Sequence, residues 1–312
     1  MPAKPLDDGL LFQALEAFRS AGGNKAWAAA RLGLPVATFN HRLSRALESF
    51  PGLGMASSGT RIKQRIRTEI KNGVAFAFSD AHFHPSGPSV AHGAFLRLAN
   101  KLKPVAMFDV GDSLDGASIS RHPMTGNDDL PSVQDELFAV LLQRGEMMQA
   151  CEKARLYWCY GNHCSRFDKY LATNAPRLSG VKGLTLADNL PGWNIAWAIE
   201  INWDSDPILI THNWKGGAHA SHNNSKDTAV HFVSGHDHRL GLSRYTNERG
   251  ILYGINPGVF ADVNSPAFRY TQGRPKDWRS GFVVLTFRDG LLLPPEHCEV
   301  VRGAAYFRGE PV

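Results

Sequence analysis

Apolar residues in the first fifty positions recur with the period of α-helices. Those between residues 10 and 18 are spaced for one helix face. A break with two glycines follows at 22–24, and further helices are predicted over 25–32 and from Pro35, because proline is favoured at the first position of a helix. Residues 1–50 are therefore predicted to be a small all-helical domain. The last helix repeats apolar residues every three or four positions: Phe39, Leu43, Ala46, Leu47 and Phe50.

From residue 73 to residue 312 the pattern changes, and short apolar runs alternate with helical segments. Such alternation indicates an α/β fold built around a sheet. The runs at 199–203 and 207–210 are close enough to form a hairpin or adjacent strands, and the later runs are predicted to be mostly antiparallel. The predicted strands are 74–79, 105–110, 156–160, 199–203, 207–210, 232–234, 242–247, 251–256 and 282–288, and the main predicted helices are 90–102, 131–153 and one beginning at 167.

A basic linker, residues 51–72, separates the two predicted domains. Its first part is rich in glycine and serine, and residues 61–67 alternate basic and apolar side chains as an edge strand does. The basic side of this strand would extend a phosphate-binding track, or the strand is a solvated edge of the main sheet; both interpretations stay open.

Charge is distributed unevenly along the 312 residues, although the net charge is only +5. Residues 1–71 hold 11 basic and 5 acidic residues, a net +6, and the rest holds 23 basic and 24 acidic residues, a net −1. A nucleic-acid contact is therefore expected in the first quarter. The four cysteines form no CxxC pair, there is no apolar secretory signal in residues 1–9, and no apolar run approaches a membrane span of about 20 residues. An intracellular protein without a membrane segment is expected.

Two short helices around Gly33 match a helix-turn-helix, whose second helix enters the DNA major groove. The alternative is a helical hairpin that only packs on the main domain or mediates dimerisation. The stretch GGNKAWAAARLGLPVATFNHRLSRAL resembles the Fis-type helix-turn-helix modules of bacterial and phage regulators, which implies DNA binding. The predicted DNA contacts lie on the polar face of the second helix: Thr38, His41, Arg42 and Arg45.

Five of the predicted strands run directly into residues that can bind metal. In an extended segment residues i and i+2 point the same way, so Asp80 and His82 are expected to reach one ion. A single His or Asp at a strand end is usually hydrogen-bonded or a helix cap, but five such ends together indicate a metal site. Nitrogen and oxygen ligands without thiolate suit Mn²⁺, Fe or Zn²⁺. The candidate ligands are Asp80, His82, Asp112, Asn162, His212, His236 and His238.

The order of these motifs, DxH, GDxxD, GNH, H and GHxH, resembles the calcineurin-like metallophosphoesterase superfamily across residues 74–288. The resemblance implies a four-layer α/β/β/α sandwich and two divalent metal ions. Asp112 would bridge them, with a bridging hydroxide as nucleophile. His163 would donate a proton or contact phosphate, and Asp115 would orient ligands. One ion would take Asp80, His82 and His238, and the other would take Asn162, His212 and His236.

The chain departs from the family pattern at Cys164, where an acid usually follows the GNH motif and supports the histidine. A thiol is a weak partner for His163, so Asp168 is considered as the substitute acid. A redox-sensitive thiol is the other interpretation of Cys164.

The expected function is a metal-dependent phosphodiesterase that acts on DNA, that is, a nuclease of phage or prophage origin, because the basic helical domain would hold DNA near the site. The ions are expected to be Mn²⁺ first, with Fe, Zn²⁺, Ni²⁺ or Mg²⁺ as alternatives. One alternative function is a phosphomonoesterase or a small cyclic-nucleotide phosphodiesterase. Another is a DNA-binding regulatory protein with a weak phosphoesterase site. DNA is the expected partner through residues 1–50, a homo-oligomer is left open, and the expected location is the cytoplasm of a bacterial or phage-infected cell.

Overall fold

The computed structural model describes residues 7–21, 25–49, 62–121, 130–178, 181–248, 250–271 and 276–312. The chain divides into two compact units, Met1–Met55 and Ala56–Val312. Most of the predicted linker, residues 51–61, lies outside the described residues. Among those described, no helix is both long and apolar enough to cross a membrane.

The smaller unit consists of three helices, α1 (Asp8–Ser20), α2 (Lys25–Arg31) and α3 (Val36–Ser49). Gly33 adopts a φ of +62° in the turn between α2 and α3, a conformation that glycine takes without steric cost. Phe39, Leu43 and Ala46 of α3 are buried and pack with apolar residues of α1 and α2. The apolar positions that predicted a helix here therefore also form the core of the smaller unit. Phe50, the last of them, lies outside the described residues.

The larger unit is a mixed α/β structure with a large sheet, as predicted. Its described helices are α4 (Val90–Leu102), α5 (Val133–Ala150), α6 (Cys164–Asn174), α7 (Leu186–Asn189) and α8 (Ala220–Thr228), with short 3-10 helices at Ala117–Ile119, Pro176–Leu178 and Pro266–Thr271. Its described strands are β1 (Lys63–Thr68), β2 (Gly73–Phe78), β3 (Ala106–Asp109), β4 (Arg155–Cys159), β5 (Asn194–Ile201), β6 (Ile208–Thr211), β7 (His231–Ser234), β8 (Leu240–Asn247), β9 (Gly250–Pro257), β10 (Gly281–Arg288), β11 (Leu291–Leu292), β12 (Glu296–Val301), β13 (Ala304–Phe307) and β14 (Glu310–Pro311).

The strands form one continuous sheet in the order β14-β13-β12-β10-β2-β3-β4-β5-β6-β7-β9-β8, with β1 beside β5 and β11 beside β10. Strands β2 to β5 are parallel to one another, as are β6, β7 and β9, whereas β5 and β6 are antiparallel. The carboxyl ends of β2, β3 and β4 therefore lie at one edge, where loops bearing the candidate ligands begin.

The sheet folds over so that its two halves pack face to face. Alternate residues of β2 point to opposite sides: Ala75 and Ala77 join a core shared with Ile208 and Ile210 of β6, while Phe76 joins a second core with helices α4 and α5. On the other half of the sheet, α8 packs against β7, β8 and β9. The resulting order of layers is α/β/β/α, so the predicted fold class is confirmed.

Two differences from the predicted elements matter for the site or its support. Helix α6 begins at Cys164 and not at Phe167, which places Asn162 and His163 directly before its first turn. Strands β12 to β14 lie outside the predicted set and extend the sheet beyond β10. Their short segments carry little periodic signal. They are defined by pairing: β12 with β10, β13 with β12, and β14 with β13.

Candidate metal centre

Five loops at the carboxyl ends of β2, β3, β4, β6 and β7 are joined to one another by hydrogen bonds. The amide of Asp80 donates to the carbonyl of Gly111 (2.9 Å), and the amide of His82 donates to the carbonyl of Asp112 (2.9 Å). The amide of Gly235 donates to the carbonyl of His212 (3.0 Å). The amides of His163 and His236 donate to the carboxylates of Asp112 and Asp80, each at 2.8 Å, and so connect all five loops.

The backbone at these loops is not extended, contrary to the prediction for the DxH and GHxH motifs. Asp80 and His82 have φ angles of 53° and 37°, in the left-handed region that non-glycine residues rarely adopt. Such conformations cost of order 1–3 kcal/mol each, persist only where surrounding contacts fix them, and cluster at functional sites. The other candidate ligands with positive φ are Asp112, His236 and His238.

Glycines permit the close approach of the loops. A Cβ at Gly111 would lie 2.7 Å from Cγ of His212, and one at Gly161 would lie 2.7 Å from the backbone nitrogen of Asp112. Neither neighbour can move away without disturbing a candidate ligand, so both glycines are required by the geometry of the site.

The first group of candidate ligands is Asp80, His82 and His238, whose donor atoms all lie within 4.8 Å of one another. One oxygen of Asp80 accepts hydrogen bonds from the Ser79 hydroxyl (2.6 Å) and the His236 amide (2.8 Å). The other oxygen lies 3.2 Å from Nε2 of His238. Burial by itself would raise the pKa of Asp80, but the interaction with His238, together with the charges of His212 and His82, outweighs it, so the pKa lies well below its usual range.

His82 gives the clearest sign that this group fits a metal ion. The side chain is buried, yet neither ring nitrogen makes a hydrogen bond within the described part of the chain. Nδ1 lies 3.4 Å from a carboxylate oxygen of Asp115 without hydrogen-bond geometry. Burial lowers the pKa of His82, which favours the neutral ring that binds metal. Buried polar atoms without partners are rare, and a cation would satisfy Nε2.

The second group is Asp112, His212 and His236, with Asn162 beside it. Nε2 of His212 lies 2.9 Å from an oxygen of Asp112 and 3.0 Å from the amide oxygen of Asn162. Nδ1 of His212 lies 3.0 Å from the carbonyl of Val110, a contact that fixes the ring and directs Nε2 toward the site. Burial opposes protonation, but the charge and hydrogen bond of Asp112 raise the pKa of His212 to about 9. Metal binding here would displace a proton.

Asp112 lies between the two groups. Its donor atoms also fall within 4.8 Å of those of His82 and His163, as well as those of His212 and His236. Burial would raise its pKa, but His212 outweighs burial and lowers the pKa to about 2. A fully ionised carboxylate with two oxygens can contact two cations, and the structure brings all seven predicted ligands to this one place.

His163 lies over the site and is supported by Asp115. Nδ1 of His163 donates to a carboxylate oxygen of Asp115 at 2.7 Å. The proposed substitute, Asp168, does not fill this place, because it accepts from the Tyr160 hydroxyl and from the Leu186 amide (2.9 Å). Burial lowers the pKa of His163, but Asp115 and Asp112 outweigh it, and the net direction is upward.

Arg166 is a residue of this site that the sequence analysis missed. Its Nη1 donates to the backbone carbonyl of Asp115 (3.0 Å), and its Nη2 lies 3.2 Å from Nε2 of His163. Position i+3 from His163 on α6 is the signal that could have found it, since residues three apart on a helix are neighbours.

Cys164 does not contact the site through its thiol. Its side chain is fully buried in the core beneath α4 and α5, and burial, followed by the charge of Asp112, raises its pKa to about 12. Only its amide reaches the site, 3.3 Å from the same Asp112 oxygen that accepts from the His163 amide. A buried neutral thiol gives no support to the redox interpretation.

The sequence also did not predict a buried ion pair between Arg144 and Asp109, which lies behind the turn at Gly111. Arg144 of α5 donates to a carboxylate oxygen of Asp109, whose other oxygen accepts from the Gly111 amide (2.9 Å). The guanidinium lies between two indole rings, 4.2 Å from the centroid of Trp158 and 4.6 Å from that of Trp193. Asp109 is thus held in place to orient the turn that carries Asp112.

The predicted DNA contacts lie on α3 of the smaller unit. Thr38, His41 and Arg45 are exposed and Arg42 is half-buried. Nη1 of Arg45 lies 3.1 Å from a carboxylate oxygen of Glu48, an exposed pair of small energetic value.

On β1, the predicted basic track is partly neutralised. Arg65 and Arg67 both donate to Glu200, with 2.6 Å for the Arg67 bond. Two guanidiniums that share one carboxylate leave a single net positive charge.

Comparison with known proteins gives weak likenesses. No protein-family model matches the chain. The Gene 54 proteins of Mycobacterium phages D29 and L5 are 28% identical over 158 residues, an alignment that covers 46% of this chain and about 60% of each phage protein. Among solved structures, a hypothetical protein from Thermus thermophilus aligns with a TM-score of 0.34 and 11% identity, over 73% of this chain and 100% of that one. NAD nucleotidase of Haemophilus influenzae aligns with a TM-score of 0.34 and 12% identity, over 76% and 50%.

Proposed function

We propose that this protein is a metal-dependent phosphoesterase that hydrolyses phosphodiesters, with DNA as its substrate. The observation that carries the proposal is the pair of histidine–carboxylate groups that meet at Asp112, one of which contains the buried and unpartnered Nε2 of His82. Mixed nitrogen and oxygen donors of this kind suit Mn²⁺, Fe or Zn²⁺. Two adjacent cation sites are the arrangement used for in-line displacement at phosphorus.

The chain's own residues have separable roles in this proposal. One ion would be held by Asp80, His82 and His238. The other would be held by Asn162, His212 and His236. Asp112 would contact both ions. When bound, the ions would polarise the phosphate and lower the pKa of water.

His163 and Arg166 would act on the phosphate from the protein side. Nδ1–H of His163 donates to Asp115, which leaves Nε2 for the phosphate. Only the doubly protonated ring, which the raised pKa of His163 favours, would carry a proton on Nε2 to give to the leaving oxygen, with Arg166 turned from Nε2 to the phosphate. Arg166 lies 3.2 Å from Nε2 and would stabilise the negative charge that develops on the phosphate.

DNA is proposed because the positive charge of the chain is concentrated in residues 1–71 and because α3 exposes Thr38, His41 and Arg45. A DNA-binding unit tethered to a phosphodiesterase raises the local concentration of DNA at the active site. The resemblance of the sequence over residues 22–47 to Fis-type modules supports the same proposal.

The reaction class is tested by hydrolysis of bis(p-nitrophenyl) phosphate beside p-nitrophenyl phosphate in the presence of Mn²⁺. Faster turnover of the diester is expected. Preference for the monoester would favour a phosphomonoesterase, and turnover of neither ester with DNA binding retained would favour a regulatory protein.

The DNA contact is tested in the full chain with the double variant Arg42→Ala/Arg45→Ala. Loss of two phosphate contacts should weaken binding of a DNA duplex and reduce the slope of log affinity against log salt by about two. Arg302→Ala, which removes a positive charge from an exposed turn of the larger unit, is the control. Equal affinities for the double variant and the control would contradict a DNA-binding role for α3.

A further inference from the structure

A cavity of about 240 Å³ opens beside the first candidate ion site, and the mechanism above does not use it. His82 forms part of its wall, so a molecule in the cavity would lie next to a phosphate held at the site. Its volume is below the roughly 300–1,000 Å³ of pockets that enclose a whole drug-sized ligand. The cavity therefore has room for one part of an ester and not for an entire oligonucleotide.

The polar side chains of the cavity wall are hydroxyls, amides and imidazoles with one carboxylate, and no lysine or arginine is among its described lining residues. The carboxylate of Asp262 is at the rim, and its oxygen accepts from the Asn264 amide at 2.9 Å. A second phosphate would find no cation here and would meet this carboxylate, so the group that fits is uncharged. The polar members of the lining besides His82 are His84, Ser86, Ser89, Gln143, Asp262, Asn264 and Ser265.

Gln143 of α5 is the residue that points most directly to a ligand. Only 6% of its surface is exposed, and no hydrogen bond joins its side-chain amide to another described residue. The amide forms part of the cavity wall, so a ligand that enters must replace the bonds to water of both its donor and its acceptor. A ligand with hydroxyl or amide groups would satisfy both ends of the Gln143 side chain.

Aromatic rings complete the cavity. Phe83 and Phe260 form part of its wall, with their ring centroids 6.2 Å apart and nearly perpendicular. The two side chains are only 3% and 1% exposed, so they offer small apolar patches and not open ring faces. Small apolar patches beside a carboxamide suit a group with both apolar and hydrogen-bonding edges, as a nucleobase and its sugar have.

We propose that this cavity binds the uncharged nucleoside portion of the phosphate ester, with Gln143 as the buried hydrogen-bonding residue and Asn264 at the rim. The proposal rests on the proposed phosphoesterase function for the identity of the ester, but nucleoside binding itself can be measured without turnover.

The first measurement compares kcat/KM for two esters, the p-nitrophenyl ester of thymidine 5′-phosphate and bis(p-nitrophenyl) phosphate, with Mn²⁺ present. Gln143→Met keeps the length of the side chain and removes its amide. We expect the ratio of the two kcat/KM values to fall roughly five- to tenfold, the loss of about one or two hydrogen bonds. Gln149→Met, an exposed position on the same helix outside the cavity, should leave the ratio unchanged. An unchanged ratio in Gln143→Met would overturn the proposal.

The second measurement is saturation-transfer difference NMR with thymidine and metal-free protein. We expect the thymidine signal to be lost in Gln143→Met and kept in Gln149→Met; equal signals in the two variants would overturn the proposal. If the wild-type protein hydrolyses neither ester while thymidine binding still depends on Gln143, the phosphoesterase proposal fails and the nucleoside site stands. Should Gln143→Met fail to fold, Asn264→Ala, at an exposed rim position, must weaken the thymidine signal for the proposal to survive.

Discussion

The substitution Arg144→Met removes the cation from a fully enclosed ion pair. The side chains of Arg144 and Asp109 are 3% and 0% exposed, so neither solvent nor salt can replace the missing charge. Methionine occupies the path of the arginine stem, and the contact with the indole rings of Trp158 and Trp193 becomes purely apolar. The main consequence is that the carboxylate of Asp109 stays buried without a cation.

The expected loss in the free energy of unfolding is about 3 kcal/mol. Removing one partner of a buried ion pair costs about 3–5 kcal/mol, and a desolvated cation–π contact adds up to about 2 kcal/mol. Opposing this, Nε and Nη1 of Arg144 have no hydrogen-bond partner within the described chain, so burying the guanidinium already carries a penalty that the substitution relieves. We therefore expect the low end of the range.

Urea unfolding followed by tryptophan fluorescence and far-UV circular dichroism measures this loss. The double variant Asp109→Asn/Arg144→Met removes both charges and should recover at least about 1 kcal/mol relative to Arg144→Met alone. Arg97→Met, at an exposed position of α4, is the matched control and should cost less than about 1 kcal/mol.

The same variant tests how the ion pair supports the site. Because Asp109 accepts from the Gly111 amide, Arg144→Met should also weaken Mn²⁺ binding measured by calorimetry. A loss of stability no larger than that of Arg97→Met, or a double variant as unstable as the sum of its single variants, would refute the reasoning.

Four further substitutions test the site and its surroundings. Asp112→Asn should lower turnover roughly 100-fold or more and reduce the metal content measured by elemental analysis, with circular dichroism unchanged; full activity would contradict a role shared by two ions. Gly161→Ala should abolish tight Mn²⁺ binding measured by calorimetry, because the added Cβ would lie 2.7 Å from the backbone nitrogen of Asp112. Wild-type affinity in this variant would show that the site does not require the close contact between the two loops. Cys164→Asp should lower the melting temperature much more than Cys164→Ala, because it buries a carboxylate in an apolar core; a fully stable Asp variant would contradict the buried position. Burial, followed by the charge of Asp115, raises the pKa of Glu136 to about 7 from a usual 4.5, so the folded state binds more protons and stability should fall between about pH 4.5 and 7. The stability of Glu136→Gln relative to wild type should therefore increase over that range in urea unfolding, and a constant difference would refute the shift.

The sequence by itself determined most of the elements and the list of candidate ligands. Helix 90–102 has the predicted bounds, and the antiparallel neighbours β5 and β6 follow from two apolar runs separated by a short turn. Periodicity and motif spacing are local properties, and each candidate ligand directly follows a strand that its own neighbours define. Parallel strands then carry these residues to the same edge.

Only the tertiary structure decided which side chains meet and how the backbone presents them. The partner of His163 is Asp115, 48 positions away, and not the nearby Asp168. Arg144 reaches Asp109 from another helix, and Asp80 and His82 take left-handed conformations where an extended segment was predicted. These features depend on distances through space between loops and helices. Packing fixes those distances, and the local pattern of residues carries no information about them.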